Sequence, residues 1–171
     1  MTREAWRLRR LERSDRDAVR DIFNYYVEHS FAAYAQQPLT ADDMDRLLVS
    51  YQDSPALAAV DEADCLVGFA FLQPYSPFDT LAGTMLITYF IAPAFTGKGL
   101  GSQLLAQLET QARSRGIVRI LAHISSENEG SLSFHRRHGF VECGCFHNIR
   151  YKNGISFDVV WFEKPLLSPG S

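Results

Sequence analysis

The chain of 171 residues is poor in cysteine, methionine and tryptophan, with 3, 3 and 2 of each. Cys65, Cys143 and Cys145 are too few and too odd in number for a disulfide framework. None stands in a Cys-x-x-Cys or Cys/His ligand spacing, so no metal is expected and reduced thiols point to the cytoplasm. An excess of one charge sign is missing too: 17 Lys and Arg against 20 Asp and Glu leave a net charge of -3. That balance offers no basic field for coating a nucleic acid or an anionic membrane, and neither partner is expected. An anionic ligand would have to be held locally. No stretch approaches the roughly 18 apolar residues of a membrane span, and the charged first ten residues lack the apolar run of a signal sequence. Internal repeats and low-complexity linkers are absent as well.

What is present, 46% hydrophobic and 12% aromatic residues, suits one globular domain over residues 1–166. A tail at 167–171 follows, where Pro169 and Gly170 give little reason for order.

A short strand around residues 6–9 precedes a helix: Ser14 and Asp17 have capping-box spacing, and Ala18, Val19, Ile22, Phe23 and Tyr26 recur at helical period. Thr40 and Asp43 repeat the start signal before Met44, Leu47, Leu48 and Tyr51. Apolar runs at 56–60 and 65–71, four residues apart, read as a hairpin. The run at 85–91 is nearly all apolar and reads as a buried central strand. Beyond it lie a glycine-rich turn and a helix ending at Gly116, then a strand at 118–124 and a short helix at 131–138. A last hairpin pairs 141–146 with 157–162, with Asn153-Gly154 supplying a type I′ turn. The chain is α/β, with helices inserted between the strands of a mixed sheet.

The turn Thr96-Gly97-Lys98-Gly99-Leu100-Gly101 follows a strand and opens a helix. Backbone N–H groups there have no intrahelical partner and no side chains in front of them, which makes a phosphate cradle. The same glycines could serve only the backbone angles of a tight turn. A Walker loop needs an earlier glycine ahead of Gly97-Lys98. A dinucleotide fingerprint needs GxGxxG and a carboxylate at the end of the next strand, where His123-Ile124-Ser125-Ser126 stands.

The turn resembles the acyl-CoA loop of the GCN5-related N-acetyltransferases, Gln/Arg-x-x-Gly-x-Gly/Ala, with Thr96 departing from it. One helix and one strand later, the block from Asn128 through Ser131 and His135 to Gly139-Phe140 is similar to that family's second CoA motif. Phe23-Asn24-Tyr25-Tyr26-Val27, Gly68-Phe69-Ala70-Phe71, Thr88-Tyr89-Phe90-Ile91-Ala92-Pro93 and Phe157-Asp158-Val159-Val160-Trp161 look most like the phosphinothricin acetyltransferase group. The resemblance covers residues 6–165. It implies a central mixed, mostly antiparallel twisted sheet with a splayed parallel pair and helices on both faces. It implies acetyl-CoA as co-substrate, a primary amine on a small molecule as acceptor, and a homodimer.

The resemblance also implies site residues. Thr96, Gly97, Lys98, Gly99, Leu100, Gly101 and Ser102 form the pyrophosphate turn. Main-chain groups of Phe90 and Ile91 meet the pantetheine arm, and Asn128 and Ser131 contact it from the following helix. Asn128 reads equally as that helix's N-cap, with Ser131 at N3. His135 holds the family's Tyr/His position, from which a proton donor reaches the CoA sulfur; it reads equally as a surface histidine at a helix C-terminus. The group's base, a glutamate in the strand before the turn, is replaced by Leu86. A neutral low-pKa amine then suits the chain best, with water relayed through Thr88, His123, Glu127 or Tyr89. Phe31, Tyr34, Met44, Pro74, Tyr75 and Phe78 are candidates for the acceptor wall, and Asp158 for a structural hydrogen-bonding group. Two other readings stay open: a peptide or protein N-acetyltransferase, and a CoA-binding module with little catalysis.

Overall fold

Local signals set most of the element boundaries. Thr40 and Asp43 cap each other: the Asp43 carboxylate accepts from the Thr40 N–H at 2.9 Å, and the Thr40 hydroxyl accepts from the Asp43 N–H at 3.2 Å. These bonds satisfy donors that a helix start leaves free. Asn153 and Gly154 sit at φ +51° and +80°, the left-handed pair that a type I′ turn needs.

The computed structural model describes residues 6–49 and 53–166. In chain order they form β1 (Arg7–Arg10), α1 (Arg16–His29), α2 (Ala41–Val49), β2 (Ala56–Val60), β3 (Leu66–Pro74), β4 (Thr84–Ile91), α3 (Leu100–Ser114), β5 (Arg119–Ser125), α4 (Glu129–Arg137), β6 (Val141–Lys152) and β7 (Ile155–Pro165). Tyr51 and the tail at 167–171 lie outside the described residues. The seven strands make one sheet in the order β1-β2-β3-β4-β5-β7-β6. Every neighbouring pair is antiparallel except β4 and β5. Among the described residues no helix is long and apolar enough to cross a membrane.

Helices cover both faces. Leu100, Leu104, Leu105, Leu108 and Ala112 of α3 and Leu132 of α4 pack against one face, with Leu72, Ile87, Ile120 and Phe162 beneath them. Val19 and Ile22 of α1 and Met44 and Leu48 of α2 cover Phe69 and Phe71 on the other. Each of the larger side chains, the leucines, isoleucines, valine, methionine and phenylalanines, contributes about 1.5–3 kcal/mol.

Three expectations need correcting. The start of α1 is not a Ser14/Asp17 box: Asp15 accepts from the Glu12 N–H at 2.9 Å and from Arg9 through both oxygens, so a 3-10 turn at Arg13–Asp15 comes first. The final hairpin is longer than its apolar runs, because β6 continues through an irregularity between Phe146 and Arg150. There Asp158 accepts from the Asn148 N–H at 2.8 Å and pairs with His147 Nδ1 at 3.0 Å. Finally, β4 is buried only at Met85 and Ile87; its second half borders open space.

Candidate active site

The open space exists because β4 and β5 part company. Their register ends after three pairs, Thr84↔Arg119, Met85↔Ile120 and Leu86↔Leu121. Beyond it β4 stays with β3 as far as Ile91, and β5 stays with β7 as far as Ser125. A cavity of about 660 Å³ fills the seam.

Antiparallel pairing alternates, so each β4 residue turns its main-chain groups either to β3 or to the seam. Ala92 N–H bonds Val67 O at 2.8 Å and Tyr75 N–H bonds Thr84 O at 3.1 Å, which fixes the alternation. Even-numbered residues of β4 face β3, and odd-numbered ones face the seam. Phe90 therefore does not offer its main chain to a ligand: it is paired with Phe69, and its ring packs against Phe23 at 5.0 Å. Tyr89 and Ile91 line the open edge instead. The Ile91 carbonyl accepts from the Tyr26 hydroxyl at 2.5 Å.

The glycine turn forms one end of the cavity. Gly97 and Gly99 have φ of +71° and +92°, and a Cβ on either would meet nothing within 4 Å. They are glycines for their backbone angles and face open space. Gly101 differs, since a Cβ there would lie 3.4 Å from Ile91 and from Phe134. The Gln103 N–H bonds the Gly99 carbonyl at 3.2 Å, so the amides ahead of it have no acceptor inside the helix. Neutral N–H groups at the positive end of α3 suit a diphosphate without any net positive charge.

The side chains of the turn do other work. The Thr96 hydroxyl donates to the Pro93 carbonyl at 2.8 Å, Lys98 rests over the Phe95 ring at 5.5 Å, and Leu100 is core. Ser102 bonds His138 Nε2 at 2.8 Å, tying α3 to α4.

Asn128 caps α4 by accepting from the Ser131 N–H at 3.2 Å, and both residues also line the cavity. One turn on, His135 is only 3% exposed, not a surface residue. Its Nδ1 lies 2.7 Å from the Ser131 carbonyl, which can only accept, so Nδ1 carries the proton. Nε2 then accepts from the Tyr89 hydroxyl, with the two rings stacked at 5.5 Å. Burial brings His135 down to about 4 and pushes the Tyr89 phenol up. A neutral imidazole with both nitrogens engaged has no proton to give at neutral pH. Tyr89 and His135 both line the cavity, and the hydroxyl that meets the imidazole there belongs to Tyr89.

The opposite wall comes from residues 30–40, which have no regular structure. Tyr34 stacks on His123 at 5.4 Å and donates to its carbonyl at 3.2 Å. Arg150 lies over the outer Tyr34 ring at 4.9 Å. Burial pushes Tyr34 up to about 12 and lowers His123, with Arg150 adding to the second effect. Thr88 reaches the same cavity from β4.

Several candidates stand elsewhere. Leu86 sits at the last paired position of β4 and Glu127 is exposed, and neither lines the cavity. Phe31 packs edge-on to Phe157 at 5.4 Å, and Tyr75 packs edge-on to Trp161 at 6.3 Å, so both support neighbours instead of lining the cavity. Met44 is core, and Phe78 is 71% exposed. The Tyr89–His135 bond is the feature that sequence reasoning missed.

An opening of this kind lets a thioester held on one face of a sheet meet a nucleophile arriving from the other, which is the architecture of a CoA-dependent acyltransferase. The profile described as the acetyltransferase (GNAT) family matches residues 17–140, and the chain belongs to that family. It is 30% identical to a phosphinothricin N-acetyltransferase of Streptomyces coelicolor, over 89% of this chain and 91% of that one. It is 29% identical to an L-amino acid N-acyltransferase of Escherichia coli, over 93% of each. The Salmonella typhimurium yncA structure, solved with acetyl-CoA, superposes with a TM-score of 0.88 at 26% identity, covering 98% of both chains. As a family acetyltransferase, the chain uses acetyl-CoA as its acyl donor.

Proposed function

We propose that the chain moves the acetyl group of acetyl-CoA directly to the primary amine of a small molecule, an amino acid or a close analogue. The observation that carries this is the seam: amides gathered for a diphosphate at one end, and a separate Tyr34–His123 wall on the other side. The relatives named for phosphinothricin and L-amino acids support the acceptor class.

Acetyl-CoA supplies an acyl carbon open to attack; the C–N bond forms, the C–S bond breaks, and one proton passes from nitrogen to sulfur overall. The amides from Gly97 to Ser102 hold the diphosphate. Asn128, Ser131 and the open main-chain edge at Tyr89 and Ile91 hold the arm and face the oxygen that gains charge. Thr88, Tyr34 and His123 orient the amine. As the C–S bond breaks, the single Tyr89 hydroxyl hydrogen, held on His135 Nε2 at rest, turns to the departing sulfur and is replaced from the amine; His135 is the positioning residue that fixes the Tyr89 oxygen.

With Leu86 where a carboxylate would act as base, the amine must arrive neutral. An α-amine near pKa 8 is about one-tenth neutral at pH 7, whereas a lysine-like amine near 10.4 is neutral at well under one part in a thousand. A thiol-release assay with acetyl-CoA over free amino acids, short peptides and lysine-like amines, at pH 7 and pH 9, tests the reading. Turnover of free amino acids supports it. Turnover of peptides alone favours a protein acceptor, and saturable CoA binding without turnover leaves a binding module.

A cytoplasmic homodimer belongs to the same proposal. The free thiols favour that compartment. The edge strand β6 exposes Val141, Phe146, Ile149 and Tyr151, which a second copy would cover. Sedimentation velocity distinguishes monomer from dimer.

A further inference from the structure

The most deeply buried cation among the described residues is far from the glycine turn in sequence. Lys152 ends β6 beside the Asn153-Gly154 turn and is 1% exposed. Its Nζ donates to the Ser30 and Ala33 carbonyls, each at 2.8 Å. No carboxylate pairs with it among the described residues. Burying an ammonium group without a counter-charge is costly, so the bonds it makes must matter to the fold or to the site.

Those two carbonyls occupy a particular place. Ser30 closes α1, where the helix dipole is negative and carbonyls have run out of partners. Ala33 lies in the irregular segment that follows, and that segment carries Ala32, Ala33, Tyr34 and Ala35 along the cavity. A second tie joins the same two parts, from the Gln36 side-chain amide to the Tyr151 carbonyl at 3.1 Å. The tip of the last hairpin thus holds the acceptor wall, and among the described residues the Lys152 ammonium is hydrogen-bonded to that segment and not to the glycine turn or α4.

We infer that Lys152 is a positioning residue for acceptor binding, acting through the Ser30 and Ala33 carbonyls to set Tyr34 against His123. The inference rests on the acceptor reading above. Acetyl-CoA binding, built from the opposite face, is independent of it.

Lys152→Met keeps the apolar stem and removes the three donors; Lys152→Gln keeps an NH2 on a shorter stem. Steady-state kinetics with acetyl-CoA and the best amine from the panel give both KM values, and amide exchange by mass spectrometry follows the backbone. In Lys152→Met the acceptor KM should rise about tenfold with the acetyl-CoA KM nearly unchanged, as expected when one hydrogen-bonded wall is released. Lys152→Gln should fall between the two. Exchange should quicken in residues 30–36 and stay slow in 97–104. An unchanged acceptor KM, a parallel change in both KM values, or faster exchange across the whole sheet overturns the inference. Failure of both variants to fold counts the same way. If the wild type acetylates no amine, the acceptor reading fails by itself, and exchange in 30–36 then decides whether Lys152 holds the segment.

Discussion

The Tyr89 hydroxyl and the His135 ring form one hydrogen-bonded unit, with Tyr89 donating to Nε2 while Nδ1 is held 2.7 Å from the Ser131 carbonyl. Tyr89 comes from β4 and His135 from α4, so the unit ties the open strand edge to the helix in the cavity wall. Tyr89→Phe should lower kcat by about a hundredfold and leave the acetyl-CoA KM nearly unchanged, the pattern of a lost proton donor. A raised acetyl-CoA KM with kcat unchanged would assign the hydroxyl to binding.

His135 also sets a pH dependence of stability. Its folded value, about 4, lies below the ordinary 6.5 because burial penalises the cation. The stabilisation is complete above pH 6.5 and is lost as the pH falls through that window towards 4, by up to about 3 kcal/mol. Urea unfolding at pH 7 and pH 5 measures the difference. In His135→Gln, which cannot titrate, the difference should shrink by about 2 kcal/mol, the part of the loss that falls between pH 7 and pH 5.

The three glycines of the turn should separate by their backbone angles. Gly99→Ala forces a side chain into φ +92°, at a cost of roughly 1–2 kcal/mol. It should lower the melting temperature and weaken acetyl-CoA binding in calorimetry. Gly101→Ala has an ordinary helical angle and a 3.4 Å neighbour, so its melting temperature should hold or rise slightly.

Leu86→Glu restores a carboxylate on the face shared with Thr88. The pH–rate profile should then move to lower pH, and high-pKa amines should gain more than α-amines. An unmoved profile shows that position 86 is not where a base is lacking.

Much of this architecture was legible in the sequence. The Thr40/Asp43 box, the Asn153-Gly154 turn and the glycine turn are all local, set by residues within a few positions of one another. The periodicity of α4 did not reveal that His135 is buried, because the group that engages its Nε2, Tyr89, lies 46 positions earlier. Lys152 was silent for the same reason: a lysine beside a hairpin turn reads as solvated until the end of α1 is known to pack over it. Phe31 and Tyr75 were placed in the acceptor wall by type alone, yet their partners, Phe157 and Trp161, come from a distant strand. Leu86 is the opposite case, a single position whose chemistry could be read at once even though its neighbours could not.

Three register pairs between β4 and β5 are all that stitch the sheet together across its middle. Mechanically the molecule is two blades, β1 to β4 and β5 to β7, riveted at one end and gaping at the other. Past the third pair, the main-chain groups that an unbroken sheet would spend on its own neighbour are left for a bound molecule, which would complete the sheet locally as a short extra strand does.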